Sequence, residues 1–239
     1  MTPGERLLDV YRRLLDAYGP QGWWPGDSPF EVMAGAVLTQ SAAWANVEKA
    51  LANLKSAGAL SLEGIEALSE AELARLLYPA GYHNAKARKL KALAGLVRSR
   101  FGGDLGRMLA TPAAELRPLL LATHGIGPET ADAILLYAAG RASFVVDAYT
   151  RRIFSRLGVE PDAGTYEAWR ALFESNLAPD APLFNEYHAL IVRHGKDVCR
   201  REPLCAGCVL LDLCETGRAR TLGASGSGLT RAPAAMIET

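Results

Sequence analysis

Apolar residues recur at helical spacing along almost the whole chain. Over 4–18, Leu7, Leu8, Tyr11, Leu14 and Leu15 share one side, with charged residues between them. A loop over 19–29 carries Trp23-Trp24-Pro25. From Phe30 the same period predicts helices over 30–40, 43–56, 61–67, 70–77, 83–100 and 112–122, punctuated by Gly58, Pro79-Ala80-Gly81 and Gly102-Gly103. Further helices are predicted over 128–139, 147–157, 165–177 and 181–194. Ser28 with Glu31 three positions on reads as a capping box, and Thr111-Pro112 as a helix start. Only Phe144 to Val146 is strand-like, and no segment repeats. The pattern gives an all-α fold class.

Composition narrows the setting. The 239 residues are 49% hydrophobic, with 26 basic and 26 acidic side chains. That is ample core for one large or two small domains. A net charge of zero does not advertise a nucleic-acid partner, but the basic residues are unevenly placed. Lys86, Arg88, Lys89 and Lys91 form one cluster; Arg193, Lys196, Arg200 and Arg201 form another beside Arg151 and Arg152. A local basic face suffices for phosphate contacts, and solvated helix faces explain either cluster equally well. Met1 to Tyr18 is amphipathic and charged rather than a secretion signal, and no run reaches transmembrane length. All four cysteines lie near the C-terminus as Cys199-x5-Cys205-x2-Cys208-x5-Cys214. In a reducing compartment such clustering argues for a metal site, zinc or a [4Fe-4S] cluster, rather than disulfides. A cytoplasmic, nucleoid-associated location is expected. The Gly, Ala, Ser and Thr content past Cys214 predicts a disordered tail over 216–239.

Chemistry concentrates in 116–152. The turn His124-Gly125-Ile126-Gly127 joins two apolar helical runs, and Pro128 suits the first position of the second. Glycines permit positive φ, and the unpaired N–H groups of a helix start attract anions, so Gly125, Ile126 and Gly127 form a candidate phosphate site. Farther on, Phe144-Val145-Val146 runs into Asp147, a carboxylate that also fits as the N-cap of the next helix.

The run HGIGPETADAILL followed by FVVDAYTRRIFSRLG resembles the helix-hairpin-helix and aspartate loop of DNA glycosylases of the endonuclease III superfamily. The resemblance extends from about Trp23 to Cys214. It implies a six-helix barrel over 22–135, with the hairpin at about 115–139. A second domain, made of 1–21 and 136–215, would hold the cysteines, with a DNA-binding cleft between the two. Double-stranded DNA with a damaged base is the implied partner, with no membrane and a monomeric chain. The damaged base is flipped out of the stack. Asp147 would stabilise positive charge building on the deoxyribose and orient a water. Gln40 would fill the hole that the base leaves, and Tyr82 would wedge the opposite strand. The resemblance favours a [4Fe-4S] cluster on Cys199, Cys205, Cys208 and Cys214, with zinc as the alternative, and a monovalent cation at the hairpin. The first cysteine gap is one residue shorter than is usual in the superfamily.

Two features bear on the branch. Bifunctional members carry a lysine two residues after the hairpin, which attacks C1′. Here that residue is Glu129, and a carboxylate cannot form an imine. Trp23-Trp24-Pro25, the following FEVMAGAVLTQ and Glu129 together resemble the 3-methyladenine glycosylases of the superfamily. In that reading Trp23, Trp24, Phe30 and Lys196 line the base pocket, where indole faces suit a cationic alkylated base. Burial in the core explains the two tryptophans equally well. The expected function is a monofunctional DNA glycosylase of base excision repair, acting on an alkylated purine such as 3-methyladenine. The alternatives are an endonuclease III-like glycosylase of other or weak damaged-base activity with residual AP lyase activity, or a non-catalytic DNA-damage binding protein.

Overall fold

The computed structural model describes residues 2–24 and 26–226. Among them it forms thirteen α-helices and no strand. Helix α1 (Pro3–Tyr18) opens on Thr2, whose side chain accepts from Glu5 N–H while Glu5 reaches back to Thr2 N–H. Its buried stripe of Leu7, Val10 and Leu14 packs on α12 (Ala181–Asp197), far away in sequence. Helix α2 (Pro29–Leu38) is buried on nearly every side, as its unbroken apolar sequence requires. Packed on it are α3 (Trp44–Ser56), α6 (His83–Phe101) and α9 (Pro128–Ala133). Helices α4 (Leu62–Ala67), α5 (Glu70–Leu76) and α7 (Leu105–Ala110) pack on α6, and α8 (Ala113–Leu121) lies against both α6 and α9. Helix α10 (Ala148–Leu157) packs on α12 and α13 (Glu215–Gly226). Beside them, Phe144, Phe173 of α11 (Tyr166–Glu174), Phe154 and Tyr187 build an aromatic core, with Phe144 and Phe173 stacked at 3.9 Å.

The structure departs from the sequence pattern in four places. Helix α7 forms after the Gly102-Gly103 break because Asp104 caps it, accepting from Arg107 N–H at 2.9 Å. The strand-like run to Val146 is extended but joins no sheet; Phe144 N–H goes to Glu174 Oε1 at 2.8 Å instead. The helix expected over 128–139 stops at Ala133 and continues as a π turn, Ile134–Ala138. The expected disordered tail is helical over 215–226. Helix α13 packs on the cysteine loop, and Gly217 N–H donates to Cys214 Sγ at 3.2 Å. The remainder of that tail, 227–239, lies outside the described residues. Among the described residues no helix is long and apolar enough to cross a membrane.

A buried ion network fixes the segment that leads to Asp147. Asp132, on α9 and fully buried, takes two bonds from Arg117 of α8, at 2.8 and 3.0 Å. It also accepts Ser143 Oγ at 2.7 Å. Arg117 continues to Glu167, and Arg170 pairs with Glu174 at 2.9 Å. A buried carboxylate held this way costs little only while every partner is present.

Candidate active site

Asp147 caps α10. Its Oδ1 accepts Thr150 N–H at 2.7 Å and Thr150 Oγ1 at 3.0 Å, leaving Oδ2 free to face a pocket and His188 Nε2, 3.6 Å away. Burial is the largest influence on this carboxyl and pushes its pKa up. His188 and Thr150 more than offset that, so Asp147 stays below its usual range and ionised.

The pocket has two lobes that share Trp24, Thr39, Glu129 and His188. One, of about 550 Å³, is bounded by Gln40, the hairpin glycines Gly125 and Gly127, and Tyr137. The other, of about 380 Å³, holds Asp147 beside Trp23, Trp44, Tyr149 and Lys196. Both volumes suit a small ring system. Trp24 makes edge contacts with Trp23 and Trp44 and leans on Tyr137 at 5.0 Å. Its indole rests on Gly35, where a Cβ would approach it to 3.2 Å. The ring nitrogens of Trp23 and Trp24 are buried without a hydrogen-bond partner. Trp23, Trp24 and Lys196 line the lobe that holds Asp147; Pro25 is outside the described residues. Phe30 does not join them. It is 6% exposed in the core at the start of α2, turned there by the all-round burial of that helix.

Glu129 stands in both lobes. Its side chain is exposed within the open pocket, and the surrounding protein still partly desolvates it. That desolvation, and then the charge of Asp147, hold its carboxyl above the usual range. His188, Tyr137, Trp44 and Tyr149 went unnoticed in the sequence. Tyr137 sits in an apolar helical stretch that reads as core, and His188 belongs to no motif.

At the hairpin, Ile126 is buried and Gly125 has φ 77°, with Lys89 packed where a Cβ would stand. Gln40 reaches across the pocket mouth. Its Nε2 donates to Gly125 O at 3.1 Å and Thr130 Oγ1 at 2.8 Å, and Lys89 Nζ donates to its Oε1. Tyr82 is 73% exposed, at φ 44° in the loop before α6, with Tyr78 exposed beside it. In the first basic cluster Arg88 is exposed, but the lysines are engaged within the protein. Lys86 is 1% exposed and donates to Leu38 O and Ala80 O, while Lys91 donates to Glu66 O and Leu68 O. These lysines close helix ends. In the second cluster, Arg152 donates to Cys199 O and Gly195 O, and Arg151 to Gly164 O.

Cys199, Cys205, Cys208 and Cys214 line one small pocket with apolar walls. Arg156 Nη1 donates to Cys199 Sγ at 3.3 Å. Among the described residues no three His, Cys, Asp or Glu side chains converge as ligands of one metal ion.

A family model described as HhH-GPD superfamily base excision DNA repair protein matches residues 34–179. A Methanocaldococcus jannaschii protein whose name assigns it to the DNA repair glycosylases is 44% identical over 212 residues, 88% of this chain and 96% of its own. The 3-methyladenine DNA glycosylase of H. pylori, solved bound to 1,N6-ethenoadenine, superposes with TM-score 0.67 at 30% identity, covering 82% of this chain and 98% of that one. An endonuclease III–DNA complex superposes with TM-score 0.79 at 20% identity, covering 93% and 100%, a likeness of fold.

Proposed function

The chain belongs to the HhH-GPD superfamily of base excision DNA repair proteins, and within it we propose a monofunctional DNA glycosylase that hydrolyses the N-glycosidic bond of an alkylated purine such as 3-methyladenine. One observation carries the reading: Glu129 and Asp147 share a pocket that three indole rings also line. A carboxylate at Glu129 closes the imine route at that position. Asp147, ionised and with Oδ2 toward the pocket, stabilises the positive charge that develops on the sugar and orients the attacking water. Trp23, Trp24 and Trp44 offer electron-rich surface to a cationic base, whose positive ring also makes it the better leaving group. The H. pylori relative, acting on 3-methyladenine by its name, supports the same substrate class.

Duplex DNA is the partner. Gly125 and Gly127 meet a phosphate at the hairpin, and exposed Tyr82 enters the opposite strand. Gln40 takes the space of the flipped base after leaving its bonds to Gly125 and Thr130. The four cysteines fit a [4Fe-4S] cluster. They surround one pocket, and N–H groups from Gly217 and Arg156 point at their sulfurs. Ligands of a single tetrahedral zinc would stand about 3.8 Å apart, given Zn–S near 2.3 Å; a multinuclear cluster holds its thiolates farther apart. Bound there, the cluster supplies structural support.

Lys196 is the one lysine among the residues lining the pocket, and favours residual strand cleavage as a second reading. The test is base release from duplex carrying methylated purines, beside thymine-glycol duplex, with alkali added afterwards. Free 3-methyladenine, breaks only after alkali, and no release by Asp147→Asn are expected. Breaks before alkali that vanish in Lys196→Ala would establish the second reading. Binding of abasic duplex without release from any substrate would leave a damage-binding protein.

A further inference from the structure

The N-cap role of Asp147 accounts for only one of its oxygens. The other, Oδ2, faces His188 of α12, whose ring is 5% exposed. Nε2 of that ring is buried and makes no hydrogen bond within the usual limit. Nδ1 is bonded to Tyr137 Oη at 2.5 Å. Tyr137 comes from the π turn after the hairpin, and such turns insert an extra residue and re-aim a side chain, often at functional sites. Its ring leans on Trp24, the indole common to both lobes of the pocket.

We propose that Tyr137 and His188 form a positioning relay for the Asp147 carboxylate. This rests on Asp147 being the catalytic carboxylate. The argument is one of tautomers. A bare Nε2 lone pair facing a carboxylate would repel it, so Nε2 must carry the proton. In a neutral ring Nδ1 must then accept, and Tyr137 supplies the donated O–H. The Nε2–H of His188 thereby points at Oδ2 and shortens its 3.6 Å separation when positive charge on the sugar draws the carboxylate inward; such contacts are often long in unliganded sites. Asp147 is so held from two sides, by Thr150 on its own helix and by α12 across the pocket. The other charged or titratable groups facing it are Glu129 from α9, Arg151 from α10, Tyr149 from α10 and Lys196 from α12. None of these offers a buried donor to Oδ2.

Tyr137→Phe is the discriminating variant, because it removes one hydroxyl and keeps the ring on Trp24. Expected are unchanged abasic-duplex binding and a single-turnover base-release rate lower by about 10- to 100-fold, the scale of losing the His188 bond to the charged Asp147 carboxylate. The acid limb of its pH profile is expected to move to higher pH, since Asp147 is less favoured as a carboxylate. His188→Gln, which keeps a donor, is expected to retain more activity than His188→Leu. An unaltered rate and acid limb in Tyr137→Phe would overturn the relay. Ring ¹⁵N shifts of His188 test it without any substrate. Nε2–H in the wild type, disturbed in Tyr137→Phe, is required, and an Nδ1–H tautomer would overturn it. That readout separates the relay from the substrate assignment, which fails instead if no methylated purine is released.

Discussion

At the residue scale, chemistry turns on which group follows the hairpin. Glu129 borders the same pocket as Asp147, so an amine at its position would stand close to C1′ of a bound nucleotide. Glu129→Lys is expected to convert hydrolysis partly into covalent chemistry, read as a borohydride-trapped adduct on abasic duplex that the wild type does not give. Failure to trap would mean that the backbone here aims side chains away from the sugar. Glu129 also sets a pH dependence. Its carboxyl is raised by desolvation and by Asp147. It therefore takes up a proton at higher pH than in the unfolded chain, and stability from this group declines as pH rises from about 4.5 through the folded value. Neutral Glu129 no longer repels the Asp147 carboxylate. Glu129→Gln is expected to flatten the part of the single-turnover pH profile that lies above pH 4.5 on the acid side. An unchanged profile would remove Glu129 from the pocket's electrostatics.

At the element scale, one buried lysine ties together the chain segments that lead to Gln40 and Tyr82. Lys86 Nζ donates to Leu38 O at 2.9 Å and Ala80 O at 2.7 Å, the ends of α2 and of the turn Tyr78–Ala80. Gln40 follows the first and Tyr82 the second. Burial lowers the pKa of this ammonium, helped by Lys89. Lys86→Met leaves both carbonyls unpaired, each costing about 1–3 kcal/mol. For a chain of this size the melting temperature is expected to fall by about 4–24 °C. Affinity for abasic duplex should drop as well, because both loops loosen; a variant that melts lower yet binds as before would confine Lys86 to the core. The sequence shows Lys86 only as one of four neighbouring cations, since burial is decided by the partners that α6 meets. The helices of α1 to α6 were legible because their apolar period is local, aided in α2 by the Ser28 cap. The π turn, α13 and the aim of Phe30 were not, because each depends on contacts distant in sequence. Asp147, Gln40 and the cysteines were legible from motif alone, whereas Tyr137 and His188 meet only in the fold.

At the scale of the whole molecule, the cysteine loop is tied by arginines to α10, the helix that Asp147 caps. Arg156 of α10 donates to Cys199 Sγ and, at 2.6 Å, to Arg200 O, while Arg152 of α10 donates to Cys199 O at 2.8 Å. Helix α1 braces the same loop, through Arg6 to Leu213 O and Arg13 to Asp212 at 2.7 Å, and Arg6 also donates to Leu157 O at the end of α10. His194 of α12 comes within 3.7 Å of Cys208 Sγ. The loop therefore fixes both elements that hold Asp147, α10 at its own helix start and α12 through His188. If four thiolates are anchored by a cluster, the loop is rigid and that bracing is effective; without it, four sulfurs are left in a part-buried pocket. Metal binding then contributes directly to folding free energy. Cys205→Ser is expected to lose iron from about four per chain, melt lower, and release base more slowly while α2 to α9 keep their helicity. Iron content equal to the wild type would remove Cys205 from the ligands. Stoichiometric zinc in the wild type would replace the cluster with a single ion. Lost iron with unaltered base release would break the link argued here between the cysteine loop and Asp147.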